Sequence, residues 1–201
     1  MQQKLFEQFF PESFVLETPR VILRLIKPED YDHFLPLTAS GDTWKYFSKD
    51  LSSPEELRNW LYVALEERAE HNRMPFTVID KDTHEICGST SLGNISFYDS
   101  RIEIGWSWLG PDFRGTGVNR HAKFALLSYA FEVMKMERVE IKTDVLNERA
   151  RAALLKVGMI PEGVLRSHMQ MHSNRRRDSI FFSMLKHEWA ERKFQFFPDM
   201  Y

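Results

Sequence analysis

The sequence is poor in the features that define several large classes of protein. Its 201 residues contain a single cysteine, Cys87, which excludes a disulfide framework and a cysteine-rich zinc site. No stretch approaches the roughly 20 apolar residues of a membrane span. Residues 1–7 lack a basic patch followed by an apolar run, so we expect no secretory signal. These absences together favour a cytoplasmic protein with no membrane partner and no metal.

The chain also has little net charge, since 27 Lys and Arg oppose 29 Asp and Glu. A general nucleic-acid binder needs a basic excess to neutralise phosphates, so we expect no nucleic-acid partner. The charge is unevenly distributed, however, because residues 114–177 contain 13 Lys and Arg but only 6 Asp and Glu. This basic segment indicates a polyanionic ligand that binds locally, although a solvated surface would show the same pattern.

Apolar periodicity and turn residues predict alternating strands and helices. The predicted strands are 14–25, 76–80, 85–97, 101–109, 138–145, 160–171 and 178–185, and the predicted helices are 28–40, 53–71, 117–135 and 147–157. In the fourth strand we expect Ile102, Ile104, Trp106 and Trp108 to alternate onto one face. No repeat or Gly/Ser linker divides the chain, so the pattern predicts one α/β (α+β) unit.

One loop, residues 113–119, has the composition of an anion site. It reads Phe-Arg-Gly-Thr-Gly-Val-Asn between a predicted strand and the longest predicted apolar helix. Glycines allow the backbone N–H groups to converge, and a helix N-terminus adds positive partial charge, which together suit a phosphate. The nucleotide-hydrolase ending Gly-Lys-Ser/Thr is absent, and a dinucleotide fingerprint would need glycine in place of Arg120. Taken alone, the loop is equally compatible with a tight connection.

The order of motifs resembles the GCN5-related N-acetyltransferase (GNAT) superfamily, particularly its ribosomal-protein N-terminal acetyltransferase branch. Residues 114–119 match the family pattern [Gln/Arg]-x-x-Gly-x-[Gly/Ala] except at Asn119. The strand around Gly105 precedes this loop, and Asn147 follows it eleven residues before Gly158. The resemblance covers residues 14–186 as a single domain, with extensions at 1–13 and 187–201. It implies a GNAT-type mixed, centrally splayed sheet of six to seven strands with about four flanking helices.

The resemblance implies an acetyl-CoA-dependent N-acetyltransferase, with acetyl-CoA as cosubstrate and no metal. In the family, the loop holds the CoA pyrophosphate and backbone N–H groups at a gap between two strands polarise the thioester. That gap would lie between residues 104–108 and 142–145. The implied cosubstrate-binding residues are Ile104, Gly105, Trp106, Arg114, Gly115, Thr116, Gly117, Val118, Asn119 and Asn147. Further basic residues fall near the expected CoA track, or are solvated surface charges: Arg120, Lys123, Arg149, Arg151 and Lys156.

Acetyl transfer to an amine requires the neutral amine. At pH 7 this costs about 1 kcal/mol for an α-amine but roughly 4.6 kcal/mol for a lysine. Glu103 is the first candidate for a general base and Asp144 is the second. His168 and His172 are weaker alternatives, because most lone histidines are only hydrogen-bonded or solvated.

Two positions depart from the family pattern. The serine and tyrosine that serve related enzymes as general acid are replaced by Ala150 and Leu154. This leaves open a non-catalytic CoA-binding module of the same fold. Cys87 lies in an apolar strand and has the character of a core residue, which favours direct transfer in a ternary complex.

The acceptor is either a protein N-terminus or a small-molecule amine. Residues 29–50 are rich in acidic and aromatic side chains, which would suit a cationic amine, although ordinary packing explains the aromatic residues equally well. Monomer and homodimer both remain open. The triple arginine at 175–177 could suggest nucleic acid, but it lacks interleaved aromatic residues.

Overall fold

A computed structural model describes residues 2–200. The strands are β1 (Val15–Glu17), β2 (Val21–Leu25), β3 (Arg73–Asp80), β4 (Ile86–Ser96), β5 (Arg101–Leu109), β6 (Arg138–Asp144), β7 (Ile160–Gln170) and β8 (Arg176–Leu185). The α-helices are α1 (Gln2–Phe9), α2 (Asp30–Thr38), α3 (Pro54–Ala69), α4 (Val118–Ser128), α5 (Glu148–Leu155) and α6 (Lys186–Phe196). The mixed sheet is confirmed, with eight strands instead of six to seven and six α-helices instead of about four.

All eight strands belong to one sheet in the order β1-β2-β3-β4-β5-β6-β8-β7. Neighbouring strands are antiparallel except β5 and β6, which are parallel. A parallel pair needs a crossover connection, and α4 provides it. The sole parallel pair of the described sheet therefore lies at its centre, next to the loop that begins α4.

The helices begin where the sequence indicates. Ser53 caps α3, since its side chain accepts a hydrogen bond from the Glu56 N–H and Pro54 occupies the first turn. The α-helical part of α4 ends at Ser128 and continues as a single π-helical turn, Tyr129–Val133, within the predicted helix 117–135. The predicted strand 14–25 is divided into β1 and β2, which pair as a hairpin.

The core consists of two clusters of buried apolar side chains. The larger cluster includes α4 residues such as Leu126 and sheet residues such as Phe76. Helices α1 and α6 also contribute to it through Phe6 and Trp189, so both terminal segments pack against the domain. The smaller cluster lies under α2 and α3 and is rich in aromatic rings. Within residues 2–200, no helix is long and apolar enough to cross a membrane.

A bulge in β5 overturns the expected alternation of its side chains. Ser89 and Ser91 of β4 oppose Trp108 and Gly105, so β5 has one extra residue in this stretch, and Trp106 adopts a positive φ of 50°. The prediction that Ile102, Ile104, Trp106 and Trp108 share one face is therefore wrong. Ile102 and Ile104 lie in the larger cluster, whereas Trp108 lies in the smaller one.

Candidate active site

The sheet opens between β5 and β6 after only three residue pairs. Arg101, Ile102 and Glu103 pair with residues 138–140, and the pairing then stops although both strands continue. Strand β6 instead pairs with β8 along all seven of its residues. The backbone of β5 from Ile104 onward therefore borders a gap, at the place that the resemblance predicted. We call this opening the fork.

The bulge at Trp106 lies at the edge of the fork. The Trp106 ring covers Gly93 of β4 so closely that a Cβ on Gly93 would come within 2.6 Å of it. On the other side, the Arg73 guanidinium lies 5.1 Å from the centre of the same ring. The positive φ of Trp106 is strained for a bulky residue, and the ring is held in place by these neighbours.

The loop 114–119 presents an open cluster of backbone donors. Gly115 and Gly117 have φ values of 80° and 95°, a left-handed conformation that glycine adopts without strain. No heavy atom lies within 4 Å of a Cβ built on either residue. Within residues 2–200, the N–H groups from Gly115 to Asn119 find no acceptor. Donors that point into open space at a helix N-terminus fit a phosphate group.

The side chain of Arg114 turns away from this cluster. Its Nε donates to the carbonyl of Leu109 at 3.0 Å, and its Nη2 donates to Thr43 Oγ1 at 2.6 Å. Burial, together with the nearby Arg149, lowers the pKa of the Arg114 guanidinium. Arg114 thus ties the end of β5 to the turn after α2, while its proposed contact with CoA stays a prediction.

The two candidate bases are both buried and both paired. Glu103 accepts hydrogen bonds from Lys142 Nζ at 2.5 and 2.6 Å and from Asn94 Nδ2 at 2.7 Å. Asp144 is ion-paired with Arg175 and also accepts the Leu146 N–H at 3.0 Å. Glu103 lies on the last paired position of β5, directly at the start of the fork. Asp144 lies at the far end of β6.

The histidines and the α5 residues complete the comparison with the sequence. His168 Nδ1 lies 3.0 Å from Ser179 Oγ, and burial lowers its pKa, aided by the positive charge of Lys142. His172 Nε2 lies 3.2 Å from the carbonyl oxygen of Trp44. Asn147 caps α5 by accepting the Ala150 N–H at 3.0 Å, as its helix-capping interpretation required. Its Nδ2 donates to no residue in the described part of the chain and stays free for a ligand.

Lys123 is the functional-looking residue that the sequence placed wrongly among solvated charges. It lies in α4 with 4% of its surface exposed, and Nζ donates to Ser107 Oγ at 2.8 Å. Ser107 in turn contacts Thr90 Oγ1 at 2.7 Å. No carboxylate of the described chain pairs with Lys123, and burial lowers its pKa to about 8. The signal in the sequence is its position in the apolar run Ala-Lys-Phe-Ala-Leu-Leu from Ala122.

A cavity of about 240 Å³ opens beside the fork on the side of α3. Trp106 and Trp108 of β5 form one wall, and Trp60 and Glu67 of α3 form another. The cavity and the donor loop therefore lie at different parts of the same unpaired segment of β5. Among the described residues, no cluster of His, Cys, Asp or Glu could hold a metal ion.

This geometry agrees with the comparisons to known proteins. The family described as "Acetyltransferase (GNAT) domain" matches residues 20–160. The chain belongs to the GNAT acetyltransferase family. The fork, the bulged strand and the donor loop are thus the parts of a GNAT domain, and the GNAT protein is an acetyltransferase.

The relatives cover nearly all of this GNAT chain. YdaF of Bacillus subtilis (strain 168), provisionally named a ribosomal N-acetyltransferase, is 28% identical over 178 residues, which span 86% of this chain and 95% of YdaF. A crystal structure of an acetyltransferase assigned from T. thermophilus is 30% identical, with a TM-score of 0.85, and covers 96% of this chain and 98% of its own. RimJ of Mycobacterium smegmatis, solved with CoA-disulfide, is 20% identical with a TM-score of 0.74 over 90% of this chain and 92% of its own, and it shows the fold alone.

The buried ammonium of Lys123 makes a prediction for stability. The unfolded chain has the ordinary lysine pKa of 10.5, whereas the folded GNAT protein has about 8. Below pH 8 the folded state therefore carries a penalty of roughly 3 kcal/mol, which disappears as the pH rises to 10.5. We expect Lys123→Met to raise the free energy of unfolding at pH 7 by about 1–3 kcal/mol, and this gain to shrink toward pH 10.

Urea unfolding from pH 7 to 10 measures this difference. Lys156→Met is the control, because Lys156 is exposed and the same substitution there should change stability by less than about 0.5 kcal/mol. A gain that does not change with pH would contradict the buried-charge explanation.

Proposed function

We propose that this acetyltransferase uses acetyl-CoA and transfers the acetyl group to a primary amine by direct transfer in a ternary complex. The observation that carries the proposal is the fork, which begins one residue after Glu103 and leads toward the free N–H groups of residues 115–119. A pyrophosphate on the loop and a pantetheine arm along β5 would place a thioester at the fork. The thioester supplies the activated acetyl group, and the chain supplies its orientation.

The residues present fit such a cosubstrate. The loop offers several unpartnered backbone donors and open space for a phosphate. Asn147 has a free amide on the opposite side of the fork, at the start of α5. Backbone groups of Ile104, Gly105 and Trp106 follow the last β5–β6 pair, so they have no partner strand on that side. These are the groups that we propose to hold the pantetheine arm and to polarise the thioester carbonyl.

Direct transfer is supported by the state of Cys87. It is fully buried, and burial raises the pKa of its thiol to about 12, with Asp80 adding to the effect. A thiol that is protonated and inaccessible is a poor nucleophile. An acetyl-cysteine intermediate at this residue is therefore disfavoured, and the amine attacks the thioester itself.

We propose Glu103 as the group that receives the proton from the amine, directly or through a water molecule. It lies at the start of the fork, and its carboxylate is fixed by Lys142 and Asn94. Asp144 stays a second candidate, although both of its oxygens already have partners. The thiolate leaves without a dedicated acid, because a thiol of pKa near 8.5 is an acceptable leaving group. This accounts for activity with Ala150 and Leu154 at the family's acid positions.

The decisive experiment measures release of free thiol from acetyl-CoA in the presence of a panel of primary amines. An active enzyme shows amine-dependent release, with initial rates that fit intersecting lines in double-reciprocal plots. If CoA binds and no amine accelerates release, the chain is instead a non-catalytic CoA-binding module.

The variant Glu103→Gln tests the base. We expect kcat to fall by about 10²–10⁴-fold while the KM for acetyl-CoA changes little. Lys142→Met is the matched control, because it breaks the same ion pair and leaves the carboxylate in place. Equal losses in the two variants would assign Glu103 a structural role instead.

The variant Gly117→Val tests the loop. A β-branched residue at a φ of 95° costs about 1–3 kcal/mol of backbone strain and disturbs the N–H cluster. We expect the KM for acetyl-CoA to rise by at least about tenfold, with the KM for the amine unchanged. Gly163→Val is the control, since Gly163 lies in an exposed strand with open space around it and no positive φ. A KM within twofold of wild type would exclude the loop as the phosphate site.

A further inference from the structure

The cavity beside the fork contains buried donors that the protein does not use. The indole Nε1–H of Trp108 and the Nη2 group of Arg73 have no hydrogen-bond partner among the described residues. Both residues line the cavity, and they are only 4% and 2% exposed. An unpaired buried donor costs about 1–3 kcal/mol. Two such donors at one cavity indicate that a ligand with acceptor oxygens satisfies them.

The charges at the cavity are balanced. Arg73 Nε lies 2.8 Å from Glu67 Oε2, too poorly aligned for a hydrogen bond. Glu56 and Lys49 also line the cavity and complete two positive and two negative groups. A polycationic acceptor would need an excess of carboxylates, and the lining described here has none.

The acidic residues that seemed suited to a cationic amine do not serve the cavity. Asp30 is buried in an ion pair with Arg24 and accepts a hydrogen bond from Thr77. Burial alone would raise the Asp30 pKa, but the hydrogen bonds from Arg24 and Thr77 hold it below its ordinary value. Asp30 is therefore used within the fold and does not line the cavity.

The rest of the lining is apolar and mostly aromatic. Trp44, Phe47 and Trp60 surround the space, with Leu51 beside them. The volume of about 240 Å³ equals roughly eight water molecules. It is smaller than the roughly 300–1,000 Å³ of sites for drug-sized ligands. The space therefore suits one large apolar or aromatic side chain together with a neighbouring carbonyl.

We propose that the acceptor is an α-amino acyl compound with a large apolar side chain, whose carbonyl or carboxylate oxygen is bound by Trp108 Nε1 and Arg73. This inference rests on the proposed acetyltransferase function. Trp106 and Trp108 belong both to the cavity wall and to the unpaired segment of β5. An α-amine attached to a side chain in the cavity and to a carbonyl at these donors is thus directed toward the fork.

The experiment compares Trp108→Phe with Trp44→Phe. Both tryptophans are buried and line the cavity, but the Trp44 Nε1 donates internally to the Thr38 carbonyl at 2.9 Å. Each variant is assayed with phenylalaninamide and with phenethylamine, which lacks the carbonyl. Because these amines differ in basicity, kcat/KM is compared between variant and wild type for each amine separately.

We expect Trp108→Phe to lower kcat/KM for phenylalaninamide by about tenfold and for phenethylamine by less than twofold. Trp44→Phe should affect both amines equally. Alaninamide and spermidine should be poorer acceptors than phenylalaninamide. Equal losses for both amines in Trp108→Phe, or a preference for alaninamide or spermidine, would overturn the proposal. Free phenylalanine and a peptide that begins with phenylalanine then distinguish a free amino acid from a protein N-terminus.

Binding of the product N-acetylphenylalaninamide, measured by calorimetry in the presence of CoA, gives a test that needs no turnover. Trp108→Phe should weaken this binding by about tenfold, and Trp44→Phe should not. If no amine is acetylated but this binding pattern holds, the proposed function fails and the assignment of the cavity stands. If amines are acetylated and the binding pattern is absent, the assignment of the cavity fails alone.

Discussion

The architecture of the site depends on one limit, which is that β5 and β6 form only three residue pairs. Two parallel strands that continue side by side would consume their backbone groups in the sheet. Here β6 is held along its whole length by β8 instead, and the backbone of β5 beyond Glu103 is left open. The Glu103–Lys142 ion pair connects the two strands at the point where they separate. Everything that a cosubstrate needs is arranged along this open edge.

The bulge at Trp106 divides the open edge between two sides of the sheet. Without the extra residue, strict alternation would place Trp106 and Trp108 on the same side as Ile104. With it, Ile104 packs in the larger cluster and Trp108 in the smaller aromatic one. One strand can thus border a channel for a long polyanion and also form the wall of an apolar cavity. The strain of a positive φ at Trp106 is offset by the packing of its ring on Gly93 and Arg73.

The sequence predicted the parts of the fold that depend on local chemistry. The helix start at Ser53, the glycine loop before α4 and the strand pattern on both sides of it all follow from capping, backbone freedom and periodicity. The bulge could not be read in the same way, because Gly105 indicated an irregularity but not which residue would take it. The burial of Lys123 was equally hidden, since a basic residue in an apolar helix signals either a snorkelling side chain or a buried one. The unpaired Trp108 N–H depends on long-range packing, which no local pattern reports.

Arg114 gives the molecule a property that neither binding region has alone. Its guanidinium joins the last residue of β5 to Thr43, and Trp44, the next residue, lines the aromatic cavity. The phosphate-facing loop and the acceptor-facing wall are therefore connected through a single turn of backbone. A ligand that shifts this turn changes the affinity at both places, and thermodynamic linkage makes that change reciprocal. In kinetic terms, such a connection favours an ordered sequence in which the first ligand prepares the site for the second.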